Sequence, residues 1–261
     1  MSQSDLNRWI AYRKPNPRAQ LRMFCFHYAG GGAAVFRGWQ ADLPGEIEVC
    51  PIQLPGRESR LREPSFQRLD PILQELPAVL QPLMDLPYVF FGHSMGAIIS
   101  FELSLRLRRM GWRLPLQLLL SGRRAPHRKD TDPPLHDLPD EEFKRELRQL
   151  EGTPQEVLEH PELMELLTPL LRADFAVCET YEHDTQEPPL DLPVSVFGGL
   201  TDHKVGKEDL EAWRQYTRGT FKLRMFAGNH FFLNGPSRPD LIRAIAQDVM
   251  PLIDQPVGFT G

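Results

Sequence analysis

The stretch that most constrains the fold is residues 88–110, YVFFGHSMGAIISFELSLRLRRM. It opens with an apolar, β-prone run and ends in a segment with apolar residues at helical spacing. Between the two lies GHSMG (92–96), a serine flanked by glycines at the point where a strand turns into a helix. Such a turn projects the serine hydroxyl from the end of the strand, and glycines at 92 and 96 keep side chains out of its tightest contacts. A glycine-flanked serine can also be a plain helix cap. The buried strand before it and the long helix after it favour a nucleophile, Ser94. The N–H of Met95 opens the helix and faces any negative charge that develops beside the serine, and the helix dipole adds to that effect.

The rest of the chain repeats the strand-then-helix rhythm. Strand patterns occur at 21–26, 47–54, 88–91, 116–122, 194–199 and 221–228. Helical patterns occur at 66–84, 95–110, 207–217 and about 239–249. This alternation predicts an α/β fold, with a mostly parallel sheet covered by helices on both faces. One domain over 1–261 is expected. Residues 123–193 break the rhythm: they are charged and proline-rich, carry two helical patterns and no strand, and read as a helical insertion that forms a lid. The first twenty residues read as a loose arm.

Composition narrows the function. A net charge of −5 argues against a sequence-independent nucleic-acid binder. No apolar run approaches the ~20 residues of a membrane helix, and the polar N-terminus has no signal-peptide core. Cys25, Cys50 and Cys178 are scattered and odd in number, which predicts buried thiols, no metal site and a cytoplasmic setting. A monomer is expected, since no long apolar stripe calls for a partner.

A nucleophilic serine needs a base, and the base needs an orienting carboxylate. On a serine elbow of this kind the chain order is serine, acid, histidine. SVFGGLTDHKV puts Asp202 after one strand, and MFAGNHFFL puts His230 after the next. Loops at the C-terminal edge of a parallel sheet are where sites assemble. His203 lies on the acid's own loop, and Glu208 and Asp209 fall in the following helix, so all three are weaker choices. His93 is expected to fill or hydrogen-bond the elbow. His127, His136, His160 and His183 read as surface residues of the insertion. The second oxyanion donor is expected from HYAGGG (27–32), with the N–H of Ala29 paired with that of Met95. No GxGxxG or Gly-Lys-Ser/Thr pattern supports a phosphate cradle.

Taken in order, CFHYAGGGAAVFRGW, PIQLPGRESRL, FGHSMGA, LSGRRAP, LRADFAVCETY, PVSVFGGLTDHKV and FAGNHFFL resemble the stand-alone type II thioesterases of nonribosomal peptide and polyketide synthases. The match spans about residues 24–233 and implies an α/β-hydrolase fold. It implies hydrolysis of misprimed or stalled acyl thioesters from the phosphopantetheine arm of carrier-protein domains, through Ser94, His230 and Asp202. It implies no bound metal or cofactor, because the pantetheine arm belongs to the partner. The family usually has a proline where this chain has His27, which would either alter the stiffness of the loop or put an extra polar group at the mouth. Arg123 and Arg124 either meet the arm's phosphate or form a solvated pair at the lid base. The run Leu163, Leu166, Leu167, Leu170, Leu171 reads as lid packing ahead of acyl recognition. The competing readings are a carboxylesterase or acyl-CoA hydrolase on the same scaffold, a silent carrier-docking protein, and a release domain cut from a synthase. The Met1 start and the LPGRE match favour a stand-alone editor.

Overall fold

In the computed structural model, residues 3–128, 133–150, 152 and 155–253 are described, so the ends of the expected 1–261 domain and parts of its 123–193 insertion lie outside the described residues. Six strands form one sheet: β1 (Leu21–Phe26), β2 (Ile47–Pro51), β3 (Tyr88–His93), β4 (Leu118–Ser121), β5 (Val194–Gly199) and β6 (Phe221–Phe226). Their order is β2-β1-β3-β4-β5-β6 and every neighbouring pair is parallel. Parallel neighbours need crossovers, and helices supply them. In chain order the helices are α1 (Gln3–Trp9), α2 (Trp39–Asp42), α3 (Leu69–Leu80), α4 (Met95–Arg109), α5 (Asp140–Gln149), α6 (Gln155–Leu158), α7 (Pro161–Glu179), α8 (Lys207–Glu211) and α9 (Arg238–Ile253). Among the described residues, no helix is long and apolar enough to cross a membrane.

The period-2 alternation of the strands builds two cores. Phe24, Phe26, Phe90 and Leu120 point to one face and pack with Leu76 of α3 and Ile99 and Leu103 of α4. Met23, Cys25, Val89 and Phe91 point to the other and pack with Trp39 of α2 and Ile245 and Val249 of α9. Both faces are covered, so the strands read as nearly continuous apolar runs. Phe26 lies beside Gly92, His93 beside Ser121, and Gly199 beside Phe226, so the strand ends share one edge.

The N-terminal arm is not loose. Leu6 and Ile10 are buried, and Ile10 forms an antiparallel bridge with Ile52. Trp9 stacks on Phe66 and takes the Arg60 guanidinium over its ring at 4.1 Å. Apolar residues at 6, 9 and 10 make one short helical stripe. The polar residues around it hide the stripe from composition.

The insertion leaves after β4 and returns at β5 as α5, α6 and α7. Phe143, Leu147, Met164 and Leu171 form its own small core, while Val177 of α7 joins the main one. The leucine run on α7 is split: Leu170 and Leu171 are buried, whereas Leu163 and Leu166 are exposed. Two histidines expected at the surface are instead tied down. His183 bonds Glu102 of α4 at 2.9 Å, and His136 bonds Glu179 of α7 at 2.5 Å.

Candidate active site

Ser94 sits between β3 and α4 with φ 54° and ψ −110°. A non-glycine residue there carries strain of order 1–3 kcal/mol, which persists only where the surroundings over-determine it. They do so here. The Ser94 N–H donates to the Ser121 carbonyl at 2.8 Å. A Cβ on Gly92 would meet the Gly96 carbonyl oxygen at 2.1 Å, and one on Gly96 would meet that of Phe26 at 2.1 Å. The two glycines let the elbow close, and the second presses the start of α4 against the end of β1. Met95 is the first residue of α4, so its N–H has no acceptor within the helix.

His93 fills the elbow, as expected. It is fully buried, its Nδ1 is 2.8 Å from Ser121 Oγ, and its ring centre is 5.0 Å from that of His230. Burial, with His230 adding, lowers its pKa well below the ordinary histidine value, so it is a neutral packing group.

Asp202 and His230 occupy the loops after β5 and β6, and His230 Nδ1 lies 2.7 Å from Asp202 Oδ2. The other carboxylate oxygen, Oδ1, accepts the N–H groups of Lys204 (2.9 Å) and Val205 (3.1 Å), which fixes its direction. Burial pushes the Asp202 carboxyl up, but the hydrogen bond and charge of His230 and those two backbone donors outweigh it, and its pKa is lowered. A carboxylate held ionised against Nδ1 keeps that nitrogen protonated and leaves Nε2 as the basic site. His203 is exposed, apart from this pair.

The loop after β1 forms the opposite wall. Gly30 adopts φ 76°, and the Gly31 N–H donates to the Tyr28 carbonyl at 3.0 Å. The Tyr28 ring stands edge-on to His93 and to Phe231, the residue after His230. Ala29, the residue predicted as the second donor, follows Tyr28 on this loop and is half-buried. His27, by contrast, does not reach a mouth. It is 1% exposed, its Nδ1 lies 2.9 Å from the Tyr28 carbonyl, and its Nε2 has no partner. Strand β1 ends one residue earlier, and His27 still points inward. Arg123 and Arg124 are not a solvated pair either. Both are half-buried, Arg123 against the Cys178 carbonyl (3.5 Å) and Arg124 against that of Lys204 (2.5 Å) on the acid's loop.

Two further residues, Arg57 and Asp174, have no role legible in the sequence. They form a buried, two-pronged ion pair at 2.7 and 2.8 Å, and Asp174 also accepts the Gly30 N–H at 2.7 Å. The available signal is an aspartate on the buried stripe of α7, one turn from Leu171 and Leu170 and three residues before Val177.

The chain matches the thioesterase domain model over residues 21–249. It is 46% identical to the gramicidin S biosynthesis protein GrsT of Aneurinibacillus migulanus, over 88% of this chain and 90% of that one. Its fold matches that of the type II thioesterase BorB from the borrelidin biosynthetic cluster, with a TM-score of 0.83 and 36% identity over 95% of this chain and 99% of that one. It likewise matches the RedJ thioesterase of the prodiginine pathway in Streptomyces coelicolor, with a TM-score of 0.82 and 38% identity over 95% and 94% of the two chains. A parallel sheet with a strained serine elbow, together with these likenesses, places the chain in the thioesterase family, as an α/β-hydrolase-fold enzyme that hydrolyses thioesters.

Proposed function

We propose that this enzyme is a stand-alone editor for a nonribosomal peptide or polyketide synthase, removing acyl groups from the phosphopantetheine arm of carrier-protein domains. The relatives named for gramicidin S, borrelidin and prodiginine biosynthesis support the substrate class. The single observation that carries the chemistry is the 2.7 Å bond between His230 and Asp202, at the sheet edge that also holds Ser94. In this reading Ser94 Oγ attacks the thioester carbonyl while His230 takes its proton. The N–H groups of Met95 and Ala29 hold the oxyanion. The C–S bond breaks, and the pantetheine thiol leaves with the proton from His230. Water, deprotonated by His230, then attacks the acyl-serine, and the free acid leaves as Ser94 regains its proton. Asp202 orients the imidazole and stabilises its charged form. Residues 123–193 serve as the lid. The protein works as a cytoplasmic monomer, in keeping with three cysteines that form no disulfide.

The test compares hydrolysis of acyl-loaded carrier protein, the matching acyl-CoA and a p-nitrophenyl ester by wild type and Ser94→Ala. Carrier thioesters cleaved best by wild type, and untouched by Ser94→Ala, support the editor. Rapid ester hydrolysis with intact carriers would make the protein a general esterase instead.

A further inference from the structure

Asp174 and Arg57 lie 117 positions apart in sequence and meet at the back of the loop that carries Ala29. Asp174 belongs to α7 of the insertion, and Arg57 to the PGRE turn after β2. Both side chains are nearly inaccessible, 2% and 4% exposed. Asp174 Oδ2 accepts the Gly30 N–H at 2.7 Å. The Arg57 fork spans both carboxylate oxygens and donates to the Gly31 carbonyl at 3.0 Å, while its Nε donates to the Pro55 carbonyl at 3.2 Å. A Cβ on Gly30 would lie 2.6 Å from Leu171 Cδ2, so α7 also presses directly on the loop.

Two consequences follow from this geometry. The Gly30 N–H and the Gly31 C=O are both gripped, which fixes the Gly30–Gly31 unit, and the Gly31 N–H in turn holds the Tyr28 carbonyl, on the same peptide as the Ala29 N–H, at 3.0 Å. The charges also matter. A carboxylate one residue from an oxyanion donor opposes the negative charge of a tetrahedral intermediate. A guanidinium clamped on both its oxygens cancels that opposition while keeping the hydrogen bond to the loop.

We propose that Asp174 and Arg57 are positioning residues for the oxyanion loop: a charge-neutral clamp through which α7 holds the Ala29 N–H in line with that of Met95. The proposal rests on the oxyanion reading given above. The clamp makes the seating of α7 a condition for acyl transfer, beyond any role in covering the substrate.

Removing one partner of a buried ion pair leaves a stranded charge and can unfold a protein, whereas replacing both with apolar groups of similar volume is often neutral for stability. The test therefore uses Arg57→Met/Asp174→Leu together with Asp174→Asn, and either variant that melts cooperatively is sufficient. For each, kcat and KM are measured on an acyl thioester, along with the inhibition constant of an alkylboronic acid, which forms a tetrahedral anion on Ser94. Deleting one oxyanion donor outright costs roughly 10²–10³-fold in kcat, so misplacing one should cost about tenfold or more. The expected result is that loss in kcat, KM within about twofold, and boronate affinity weakened by the same factor as kcat, since both read the tetrahedral state. A folded variant with wild-type kcat and boronate affinity would overturn the clamp, as would one whose KM alone rises. If wild type itself fails to bind boronate, or Ser94→Ala retains activity, the oxyanion and nucleophile reading fails instead. The two failures are therefore distinguishable.

Discussion

Gly96 and Phe26 meet backbone to backbone, so closely that a Cβ on Gly96 would sit 2.1 Å from the Phe26 carbonyl oxygen. This contact joins the first turn of α4 to the end of β1, and so sets the Ser94 elbow against the loop of residues 27–32. Gly96→Ala must push the two apart. Overpacking a dense interior costs about 1–3 kcal/mol when side chains can adjust, and here the obstacle is main chain. The melting temperature should fall by roughly 2–4 °C for each kcal/mol lost. The kcat on an acyl thioester should fall further than the folded fraction does. Unchanged melting and kcat would show that the elbow tolerates a shifted β1 loop.

Asp202→Asn keeps the shape of the acid and an oxygen for the Lys204 and Val205 N–H groups, but removes the charge facing His230 Nδ1. The equivalent change in a serine-protease triad lowers kcat by about 10⁴. A loss of roughly 10³–10⁴-fold is expected here, with cooperative melting retained and the labelling of Ser94 by a fluorophosphonate slowed in parallel. Labelling at the wild-type rate would remove Asp202 from the mechanism.

His27 makes stability depend on pH in a defined window. Burial, helped by the Arg57 charge, lowers its pKa to about 4. An unfolded histidine titrates near 6.5, so between about 6.5 and 4 the unfolded chain binds the extra proton. Stability is complete above that window and declines as pH falls through it, by about 3 kcal/mol in all. His27→Pro removes the group and its unpartnered Nε2. Urea midpoints measured across this range should flatten for His27→Pro. A slope equal to that of wild type would assign the effect to other groups.

Glu63 governs a lower window. Hydrogen bonds from Arg60, opposed by burial and aided by Arg8, lower its pKa to about 2. A depressed carboxylate stabilises the fold fully above its unfolded value of about 4.3, and that contribution fades as pH falls towards 2. Because Arg8 lies on α1 and Arg60 on the turn beneath it, acid should release the N-terminal arm early. Glu63→Gln should lose that pH dependence between about 4.3 and 2, as read by urea midpoints or by proteolysis at the arm. An arm released at the same pH in both proteins would contradict this assignment.

Much of the molecule is legible locally. Six apolar strand patterns and the helices between them are encoded by spacings of two and by helical spacing within short windows, and all six strands appear where those patterns lie. The serine elbow is legible too, because its glycines answer a steric demand made within five residues. Asp202 and His230 follow from chain order once the serine is identified, and their 2.7 Å contact agrees with that order.

The arm, His27 and the Arg57–Asp174 pair were decided only by tertiary structure. The arm reads as loose because its stripe of three apolar residues has no meaning until the segment from Ile52 to Phe66 lies against it. His27 reads as a mouth residue because nothing in its neighbours says that it turns inward. Arg57 and Asp174 have no individual reading in the sequence, because the partner that makes burial tolerable is 117 residues away. Sequence alone determines what short-range sterics and periodicity can encode. Which polar groups are buried, and therefore which hold the loop behind the nucleophile, depends on long-range pairing that exists only in the folded chain.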